Sequence, residues 1–343
     1  MIPARIAVLG AGVIGARHAE HLVAEPETAL HAIVDPADAA RDFAASLGAP
    51  HFRSLAEMLA AQRPDGLIVA TPNGLHVENG LEAIAAGVPV LVEKPIADTL
   101  AGALRLVTAG EAAGVPVLTG HHRRHNPMVR KAKDILAAGR IGEIIGVHAF
   151  CWFFKPDDYF DVPWRRRKGA GPVLMNLIHD VDLMRHLVGE VASVQAQTSN
   201  AVRGNEIEET AAVLLRFANG ALGTMTVSDT IVAPWSWELT SGENAAYPRQ
   251  DAACHQFGGT HGALTLPDLC VTSNAGKRSW TEPLTQVRET FIDADPLREQ
   301  VRQFARVIRG EEPPLVSGRE GLQTLRVIEA VKRAAESGER VDI

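Results

Sequence analysis

The feature that most restricts the fold is an alternation, from residue 4 to about 120, of short aliphatic runs with longer stretches of helical periodicity. The runs are rich in Val, Ile, Leu and Ala, which indicates strands whose two faces are both covered by helices. Such an alternation predicts βαβ units on a parallel, doubly wound sheet. The predicted strands are Arg5–Leu9, Leu30–Val34, Gly66–Ala70, Val88–Val92 and Val115–Leu118.

Beyond residue 140 the pattern changes to longer strands with alternating apolar and polar residues. Every second residue of 211–217 is apolar, Asn219-Gly220 gives a two-residue hairpin signal, and a return strand begins at Leu222. One helix is predicted over 172–187, and two more, 295–309 and 318–337, close the chain. This half predicts an α/β domain with an open, mostly antiparallel sheet.

Length, charge and cysteine content narrow the class of protein. The 343 residues are about twice a usual single-domain length, so we expect two domains. A formal net charge of −7 lacks the basic excess of nucleic-acid-binding proteins, so nucleic acid is not an expected partner. Three scattered cysteines form no disulfide framework, which favours the cytoplasm. No run reaches the roughly 18 apolar residues of a membrane span, and Ile6–Ala16 carries glycines and no cleavage site, unlike a signal peptide.

A glycine-rich turn directly follows the first predicted strand and opens a helix. It reads Gly10-Ala11-Gly12-Val13-Ile14-Gly15, which allows a tight turn, close approach to a pyrophosphate and anion binding at a helix N-terminus. Asp35 ends the second strand, where a carboxylate can accept hydrogen bonds from a ribose diol. No arginine stands beside Asp35 to neutralise a 2′-phosphate, so NAD is expected rather than NADP.

Two further strands end in polar segments. Glu93-Lys94-Pro95 follows one strand, and Thr71-Pro72-Asn73, with His76, follows the strand before it. Because the carboxyl ends of strands line the ligand crevice of an open α/β sheet, we expect Lys94 to point toward whatever meets a nicotinamide. The small and amide groups of the earlier segment suit a nicotinamide ribose.

In order and context, these segments resemble the Gfo/Idh/MocA family, named for glucose-fructose oxidoreductase, inositol dehydrogenase and a rhizopine-catabolism protein. The resemblance covers essentially the whole chain. It rests on the turn 10–15, Asp35, the segments 71–73 and 93–95, Gly120–Pro127, Trp164-Arg165 and the helical segment Asn176–Asp182. It implies a Rossmann domain for NAD(P), assigned here to 1–120. It also implies a substrate-binding and oligomerisation domain, assigned to 121–343, with the helices of 295–337 able to pack back on the first domain.

The resemblance also implies roles for single residues. Lys94 matches the family's catalytic lysine, His179 its substrate-site histidine, and Pro95 a proline often preceded by a cis bond. The expected cofactor contacts are Gly10, Gly12, Val13, Ile14, Gly15, Asp35, Thr71, Pro72, Asn73, His76, Glu93, Lys94, Trp164 and Arg165. The expected substrate contacts are Lys94, His122, Asn176 and His179.

Alcohol oxidation explains why these residue types are useful. The hydroxyl proton must be removed as hydride leaves, and Lys94 can accept it if burial beside a nicotinamide lowers the pKa of its amine. Glu93 would oppose that shift if its carboxylate faced inward. His179 could hydrogen-bond the reacting hydroxyl or relay its proton.

One residue departs from the family pattern. Many polyol-oxidising members carry an aspartate one helical turn before the histidine, and here that residue is Met175, whose thioether cannot take up a proton. Asn176 could instead hydrogen-bond a substrate hydroxyl or ketone. Asp182 could orient the imidazole, or serve as a capping or salt-bridging group. The Lys-Asp-His relay is therefore not transferred whole.

Two other clusters carry open alternatives. No Cys or carboxylate completes a ligand set around His121, His122 and His125, so no metal is expected. Arg123 and Arg124 could favour an acidic substrate or be solvated or salt-bridged. Aromatic residues that could form a pocket wall, or pack in the sheet or a subunit interface, are Trp235, Trp237 and Tyr247.

Three functional hypotheses follow. The leading one is an NAD-dependent oxidoreductase that acts on a hydroxyl or carbonyl of a small polyhydroxylated ring compound, such as a sugar, inositol or sugar acid, and that forms a homodimer or homotetramer. A second is a cis-dihydrodiol dehydrogenase, or an enzyme that oxidises a glycoside transiently so that elimination cleaves it. A third is a non-catalytic NAD-binding sensor, which Met175 would favour.

Overall fold

A computed structural model describes residues 2–343, which form two compact units. The first unit takes in the chain up to Asn126 together with Ala294–Leu325, and the second comprises Pro127–Asp293 and Arg326–Ile343. The helices are α1 Val13–Ala24, α2 Asp38–Ser46, α3 Leu55–Ala61, α4 His76–Ala85, α5 Leu100–Ala113, α6 Pro127–Ala137, α7 Ile178–Leu187, α8 Trp237–Thr240, α9 Pro296–Ile308 and α10 Gly318–Ser337. The strands are β1 Ala4–Leu9, β2 Thr28–Val34, β3 His51–Phe52, β4 Gly66–Val69, β5 Val90–Val92, β6 Val117–Thr119, β7 Ile144–Trp152, β8 Val191–Ser199, β9 Thr210–Phe217, β10 Leu222–Ser228, β11 His255–Gly259, β12 Gly262–Leu266, β13 Cys270–Asn274, β14 Leu284–Arg288 and β15 Val341–Asp342.

The first unit contains a six-stranded parallel sheet in the order β3-β2-β1-β4-β5-β6, which confirms the predicted doubly wound fold. The strand order reverses between β1 and β4, the position at which such folds bind ligands beyond the strands' carboxyl ends. Its buried core includes Ile6, Val8, Ile33, Ile68 and Leu91. The crevice therefore lies at the exits of β1, β4 and β5.

Two predicted strands begin later than the aliphatic runs suggest. The amide of Val88 donates to the Ala83 carbonyl at the end of α4 (2.9 Å), so β5 starts only at Val90. The amide of Val115 likewise donates to Gly110 of α5 (2.9 Å), and β6 starts at Val117. In both cases the intervening residue is a proline, which has no N–H to give to a ladder. The two-residue strand β3 was not predicted, because so short a pairing leaves no periodic pattern.

Helix α9 belongs to the first unit, although it lies far along the chain. Asp295 caps it by accepting from the Leu297 and Arg298 amides (2.8 and 3.3 Å), and its buried face includes Val301 and Phe304. Arginines of α9 pair with Glu25 and Glu27, which lie between α1 and β2. Arg302 pairs with the buried Glu25 at 2.8 Å, and Arg306 pairs with Glu27 at 2.7 Å. Apolar burial and these ion pairs together hold α9 against the segment that joins α1 to β2.

The second unit contains a nine-stranded sheet in the order β14-β13-β12-β11-β7-β10-β9-β8-β15. Only β7 and β10 pair in parallel, so the prediction of an open, mostly antiparallel sheet is confirmed. The predicted hairpin joins β9 to β10. The Phe217 amide donates to the Ala221 carbonyl (2.9 Å), so three residues, 218–220, form its loop, not two. The Gly220 amide donates to the Phe217 carbonyl (3.0 Å), which closes a turn. Gly220 is the last residue of the loop and adopts the left-handed conformation, with φ 91°.

One face of this sheet is buried and the other is open. Val213, Leu215 and Phe217 point into the core, whereas the alternate side chain of Leu214 is 53% exposed. The open face also carries an aromatic row in which Phe150, Trp152 and Trp235 lie 5.1–5.7 Å apart between ring centroids. Trp235 therefore belongs to this face. Trp237 is instead buried in the core, where it stacks on His255, and Tyr247 packs edge-on against Phe153.

The segment predicted as one helix over 172–187 has two parts. Val173–Leu177 forms a π-helical turn, and α7 continues from it as a regular α-helix. Pro172 precedes the first turn and Gly189, with φ 129°, follows the last, in agreement with the predicted start and stop. Among residues 2–343, none of the helices is both long enough and apolar enough to span a membrane.

Candidate active site

The glycines of the turn after β1 serve different purposes. Gly10 adopts φ 95°, and a Cβ on it would lie 2.6 Å from the Ala70 carbonyl oxygen. A Cβ on Gly15 would lie 1.9 Å from the Gly10 carbonyl oxygen, so α1 could not pack against the turn. Around Gly12, however, a Cβ would meet no atom within 4 Å. The fold requires the first and third glycines, whereas the second borders open space.

The N-terminus of α1 is open to a ligand. No side chain caps it and its first turn contains no acidic residue, while the Val13 side chain is 88% exposed. Unpaired N–H groups and the helix dipole favour an anion at such a terminus. The open space at Gly12 and this terminus together fit the pyrophosphate of a dinucleotide.

Asp35 connects the exit of β2 to the glycine turn. One carboxylate oxygen accepts from the Ala11 amide and the other from the Ala37 amide, each at 2.8 Å. The arginines that follow it along the chain, Arg41 and Arg53, are both paired with the exposed Asp38. Sequence reasoning placed Asp35 at a ribose, but the bond from Ala11, which fixes the carboxylate beside the glycine turn, had no signal in the sequence.

Glu93 is a buried carboxylate at the exit of β5. Its Oε1 lies 2.7 Å from His18 Nε2, and its Oε2 accepts from the Lys94 amide at 3.2 Å. Burial by itself would raise the pKa of Glu93, but the His18 hydrogen bond and the charges of His18, His122 and Lys94 lower it to about 2. Glu93 is thus a buried anion, which is the condition that we expected to oppose a low pKa at Lys94. His18 satisfies one of its carboxylate oxygens by a hydrogen bond.

Lys94 stands half-buried between backbone groups that other side chains hold in place. The Lys94-Pro95 bond is cis, as the family resemblance implies. The buried ring of His76 faces two carbonyl oxygens, with Nδ1 2.9 Å from that of Pro95 and Nε2 2.8 Å from that of Thr71. Thr71 in turn donates its hydroxyl to Asn79 at 3.1 Å. The His76 ring therefore lies between two backbone carbonyls, and a neutral imidazole, with its single N–H, donates to one of them at a time. The sequence did not reveal this arrangement.

The histidine-rich segment after β6 belongs to the first unit. His122–His125 forms a short 3₁₀-helix that packs against α9. Arg124 is buried and pairs with Glu320 at 2.9 Å, which favours the salt-bridged alternative for this arginine. His122 lies close enough to Glu93 for its charge to lower the pKa of that carboxyl. Nowhere in the described part of the chain do three or more His, Cys, Asp or Glu side chains gather as a metal site would require.

The second unit carries the other predicted substrate residues on the π-turn and α7. His179 is buried at the start of α7, and Asn176 precedes it in the π-turn, where its Oδ1 is buried without a hydrogen-bond partner among residues 2–343. Asp182 is also buried. Because a π-turn takes more residues than an α-turn, the assumption that Met175 lies one regular turn before His179 does not hold.

Glu208 supports the π-turn that carries Asn176, a contact that sequence reasoning missed. Its carboxylate accepts from the Val173 amide at 3.0 Å and so caps the π-turn. Burial raises the pKa of this carboxyl. Gly171 leaves room for it, since a Cβ there would lie 2.1 Å from Glu208 Oε1. Glu208 and Glu209 stand directly before β9, and nothing in the sequence linked either carboxylate to the π-turn.

Trp164 and Arg165 lie on a 3₁₀-turn of the second unit. Arg165 donates to the Tyr159 carbonyl at 2.8 Å, and its guanidinium carbon lies 4.1 Å from the centroid of the Tyr159 ring. The Trp164 side chain is half-exposed. The contact of this pair with a cofactor stays a prediction.

Comparison with known proteins identifies the family of this chain. A family model described as an oxidoreductase family with an NAD-binding Rossmann fold matches residues 4–121, and one described as the GFO/IDH/MocA C-terminal domain matches 129–246. The chain belongs to the GFO/IDH/MocA family. The curated relatives include proteins named as dehydrogenases and reductases. This chain is an oxidoreductase with an NAD-binding first domain.

Three relatives show the range of the family. The myo-inositol 2-dehydrogenase of Thermotoga maritima is 26% identical over 356 residues, covering 99% of this chain and 98% of that protein. The 2,7-anhydro-N-acetylneuraminate hydratase of Escherichia coli is 28% identical over 244 residues, covering 68% and 64%. The crystal structure of the WlbA dehydrogenase from Bordetella pertussis, in complex with NADH and UDP-GlcNAcA, has a TM-score of 0.80 and 29% identity, covering 100% of this chain and 99% of that one.

Substituting the glycines one at a time should separate cofactor binding from folding. Gly12 has φ −67° and ψ −173°, so Gly12→Ala should fold normally while its methyl group weakens NAD binding at least about tenfold. Gly15→Ala should lower the free energy of unfolding by about 1–3 kcal/mol, because its methyl group would overlap the Gly10 carbonyl. Calorimetric titration with NAD and urea unfolding measure the two effects. Unchanged NAD affinity in Gly12→Ala would contradict the placement of the pyrophosphate.

The low pKa of Glu93 predicts a pH-dependent stability. A carboxyl whose pKa is depressed on folding stabilises the protein above its unfolded pKa, and this stabilisation is lost as the pH falls toward the folded value of about 2. At pH 7, Glu93→Gln should therefore be less stable than the wild type by about 1–3 kcal/mol. The difference should shrink below pH 4.5, the ordinary pKa of a glutamate. Urea unfolding of both proteins, with the exposed Glu82→Gln as control, tests this; a gap that widens on acidification would refute it.

Proposed function

We propose that this protein transfers hydride between NAD and a hydroxyl or carbonyl group of a small polyhydroxylated ring compound, such as a sugar, an inositol or a sugar acid. The observation that carries the proposal is the position of Lys94 directly after β5, in the parallel sheet whose β1 exit holds the open glycine turn. A dinucleotide crevice and a lysine at adjacent strand exits are the combination that alcohol oxidation needs. We further propose that the first unit binds NAD and the second binds substrate.

The first unit supplies the proton chemistry. When bound, NAD supplies the hydride acceptor. Lys94 accepts the hydroxyl proton of the substrate, or donates it in the reverse direction, and general acid–base help of this kind contributes about 10²- to 10⁴-fold. Glu93 and His18 keep the Lys94 backbone in place through the carboxylate bond to its amide. Asp35, with no arginine paired to it, favours a free ribose diol and hence NAD over NADP.

The second unit supplies substrate contacts. His179 hydrogen-bonds the reacting hydroxyl or relays its proton, and Asn176 offers its buried, unpartnered Oδ1 to a second hydroxyl. A buried acceptor without a partner is costly unless a ligand satisfies it, which supports a polyol as the substrate. The relative named for myo-inositol, a ring polyol, and the WlbA structure in complex with UDP-GlcNAcA, a nucleotide-linked sugar, support the same class. Three buried free cysteines are compatible with the cytoplasm, where we place the protein.

A second candidate function uses the same residues without net oxidation. The hydratase among the relatives carries a name for water addition, not for oxidation. An enzyme of this kind would oxidise its substrate, eliminate or add a group, and return the hydride. Product analysis separates the two functions, because only the dehydrogenase accumulates NADH.

Self-association through the open face of the second sheet is part of the proposal. Leu214 and Leu222 are 53% and 62% exposed there, on the same face as the aromatic row of Phe150, Trp152 and Trp235. An exposed apolar sheet face of this kind favours burial against another surface. We propose that a second copy covers it and that the protein is a homodimer or homotetramer.

The catalytic proposal is tested by NADH formation against sugars, inositols, sugar acids and cis-diols. Lys94→Ala should lower kcat by at least about 10²-fold, because the base is removed, while the Kd for NAD changes little. Lys277→Ala, at an exposed position of the second unit, is the matched control and should behave as wild type. Full activity in Lys94→Ala would refute the role of Lys94. Binding of NAD without turnover of any compound, glycosides included, would point to the sensor.

Assembly is tested by light scattering after size-exclusion chromatography. Leu214→Glu should shift the protein toward monomer, because a charge would have to be buried in the contact. Val232→Glu, at a residue that is 83% exposed outside the sheet, should leave the mass unchanged. A wild-type protein that is monomeric at micromolar concentration would contradict the proposed assembly.

A further inference from the structure

His76 links the exits of two neighbouring strands. Its side chain is only 1% exposed, and its ring lies between two backbone carbonyls, with Nδ1 2.9 Å from Pro95 O and Nε2 2.8 Å from Thr71 O. Thr71 follows β4, and Pro95 follows β5. The two ring nitrogens therefore connect segments that leave the sheet separately.

These segments lie beyond the regular ladder between the strands. The pairing of β4 with β5 ends at Val69 and Val92, and the Glu93 amide makes the final backbone bond, to Val69 O at 2.9 Å. Past that point His76 joins the two segments in place of main-chain hydrogen bonds. Because a ring that is 1% exposed, with each nitrogen within hydrogen-bond distance of a carbonyl, has little freedom to move, it holds the two exits at a fixed separation.

Lys94 lies between this ring and a second anchor. On one side its amide donates to Glu93, whose carboxylate is bonded to His18. On the other side the carbonyl of Pro95, the next residue, is held by His76. The backbone on both sides of Lys94 is thus fixed by buried side chains of the same unit.

We propose that His76 is a positioning residue for Lys94: by holding the Pro95 carbonyl, it sets the direction in which the lysine side chain leaves the backbone. The proposal rests on the proposed function, in which Lys94 is the acid or base of the reaction. The expected role of His76 as a direct cofactor contact stays a separate prediction.

Three substitutions of His76 separate its two bonds. An asparagine amide nitrogen occupies roughly the place of Nδ1, so His76→Asn can keep the bond to Pro95. A glutamine amide nitrogen occupies roughly the place of Nε2, so His76→Gln can keep the bond to Thr71. His76→Ala keeps neither. If the Pro95 bond positions Lys94, kcat should fall by about 10- to 100-fold in His76→Gln and His76→Ala and by much less in His76→Asn, because misplacement of about 1 Å costs up to about 10²-fold.

The measurements distinguish positioning from a general loss of structure. The Kd and KM for NAD should change less than about threefold in all three variants, and the melting temperature should not follow the order of kcat. His31→Gln is the matched control, because His31 is another buried histidine of the first unit that bonds to backbone, at Gln62. It should lose stability but not kcat. Equal losses of kcat in the Asn and Gln variants, or a loss in His31→Gln as large as theirs, would overturn the proposal.

A readout without turnover keeps this test separate from that of the function itself. Reductive methylation with ¹³C labels the lysines, and the Lys94 resonance is identified by its absence in Lys94→Arg. Its chemical shift should move in His76→Gln and His76→Ala but stay close to wild type in His76→Asn. If Lys94→Ala retains activity, the proposed function fails even though this pattern is seen. If the resonance is the same in all variants, the positioning role fails even though Lys94 is essential.

Discussion

The close approach of α1 to the turn after β1 is the contact on which the rest of the first unit depends. With no side chain on Gly15, the helix can start where a Cβ would lie 1.9 Å from the Gly10 carbonyl oxygen. That contact directs the helix N-terminus at the edge of the sheet where β1, β4 and β5 end. Asp35 then reaches the amide of Ala11 and fixes the turn from the neighbouring strand. The N-terminus of α1, the Asp35 carboxylate and the exit that carries Lys94 are thereby placed at one edge.

Buried polar groups provide the precision at that edge. A carboxylate as buried as Glu93 would be costly alone, but His18 and the Lys94 amide satisfy it, so its ionised form is retained inside the fold. The buried ring of His76 likewise lies between two backbone carbonyls, at 2.9 and 2.8 Å. Such fully bonded groups rigidify their surroundings more than apolar residues would, because each bond specifies a direction as well as a distance.

The periodicity of apolar residues predicted which strands and helices exist more accurately than it predicted the residues at which they begin. The strands β5 and β6 start after a proline because the amide before each proline bonds to the preceding helix, a competition that no aliphatic count records. The Asn219-Gly220 signal correctly indicated a hairpin, yet the strand register selected a three-residue loop. The helix before His179 was predicted as regular, and its first turn is π-helical, with the amide of Val173 capped by the distant Glu208.

The sequence by itself determined the two folds, the glycine turn with Asp35, and Lys94 at a strand exit, because each of these follows from local periodicity or from residues close together in the chain. The segments on which the family resemblance rests were likewise recognised as motifs in the sequence. Only the tertiary structure decided that Asp35 bonds the glycine turn, that His18 hydrogen-bonds Glu93, and that His76 bridges two strand exits. These contacts join residues that are distant in sequence, and they exist only once the parallel sheet has brought the carboxyl ends of its strands together.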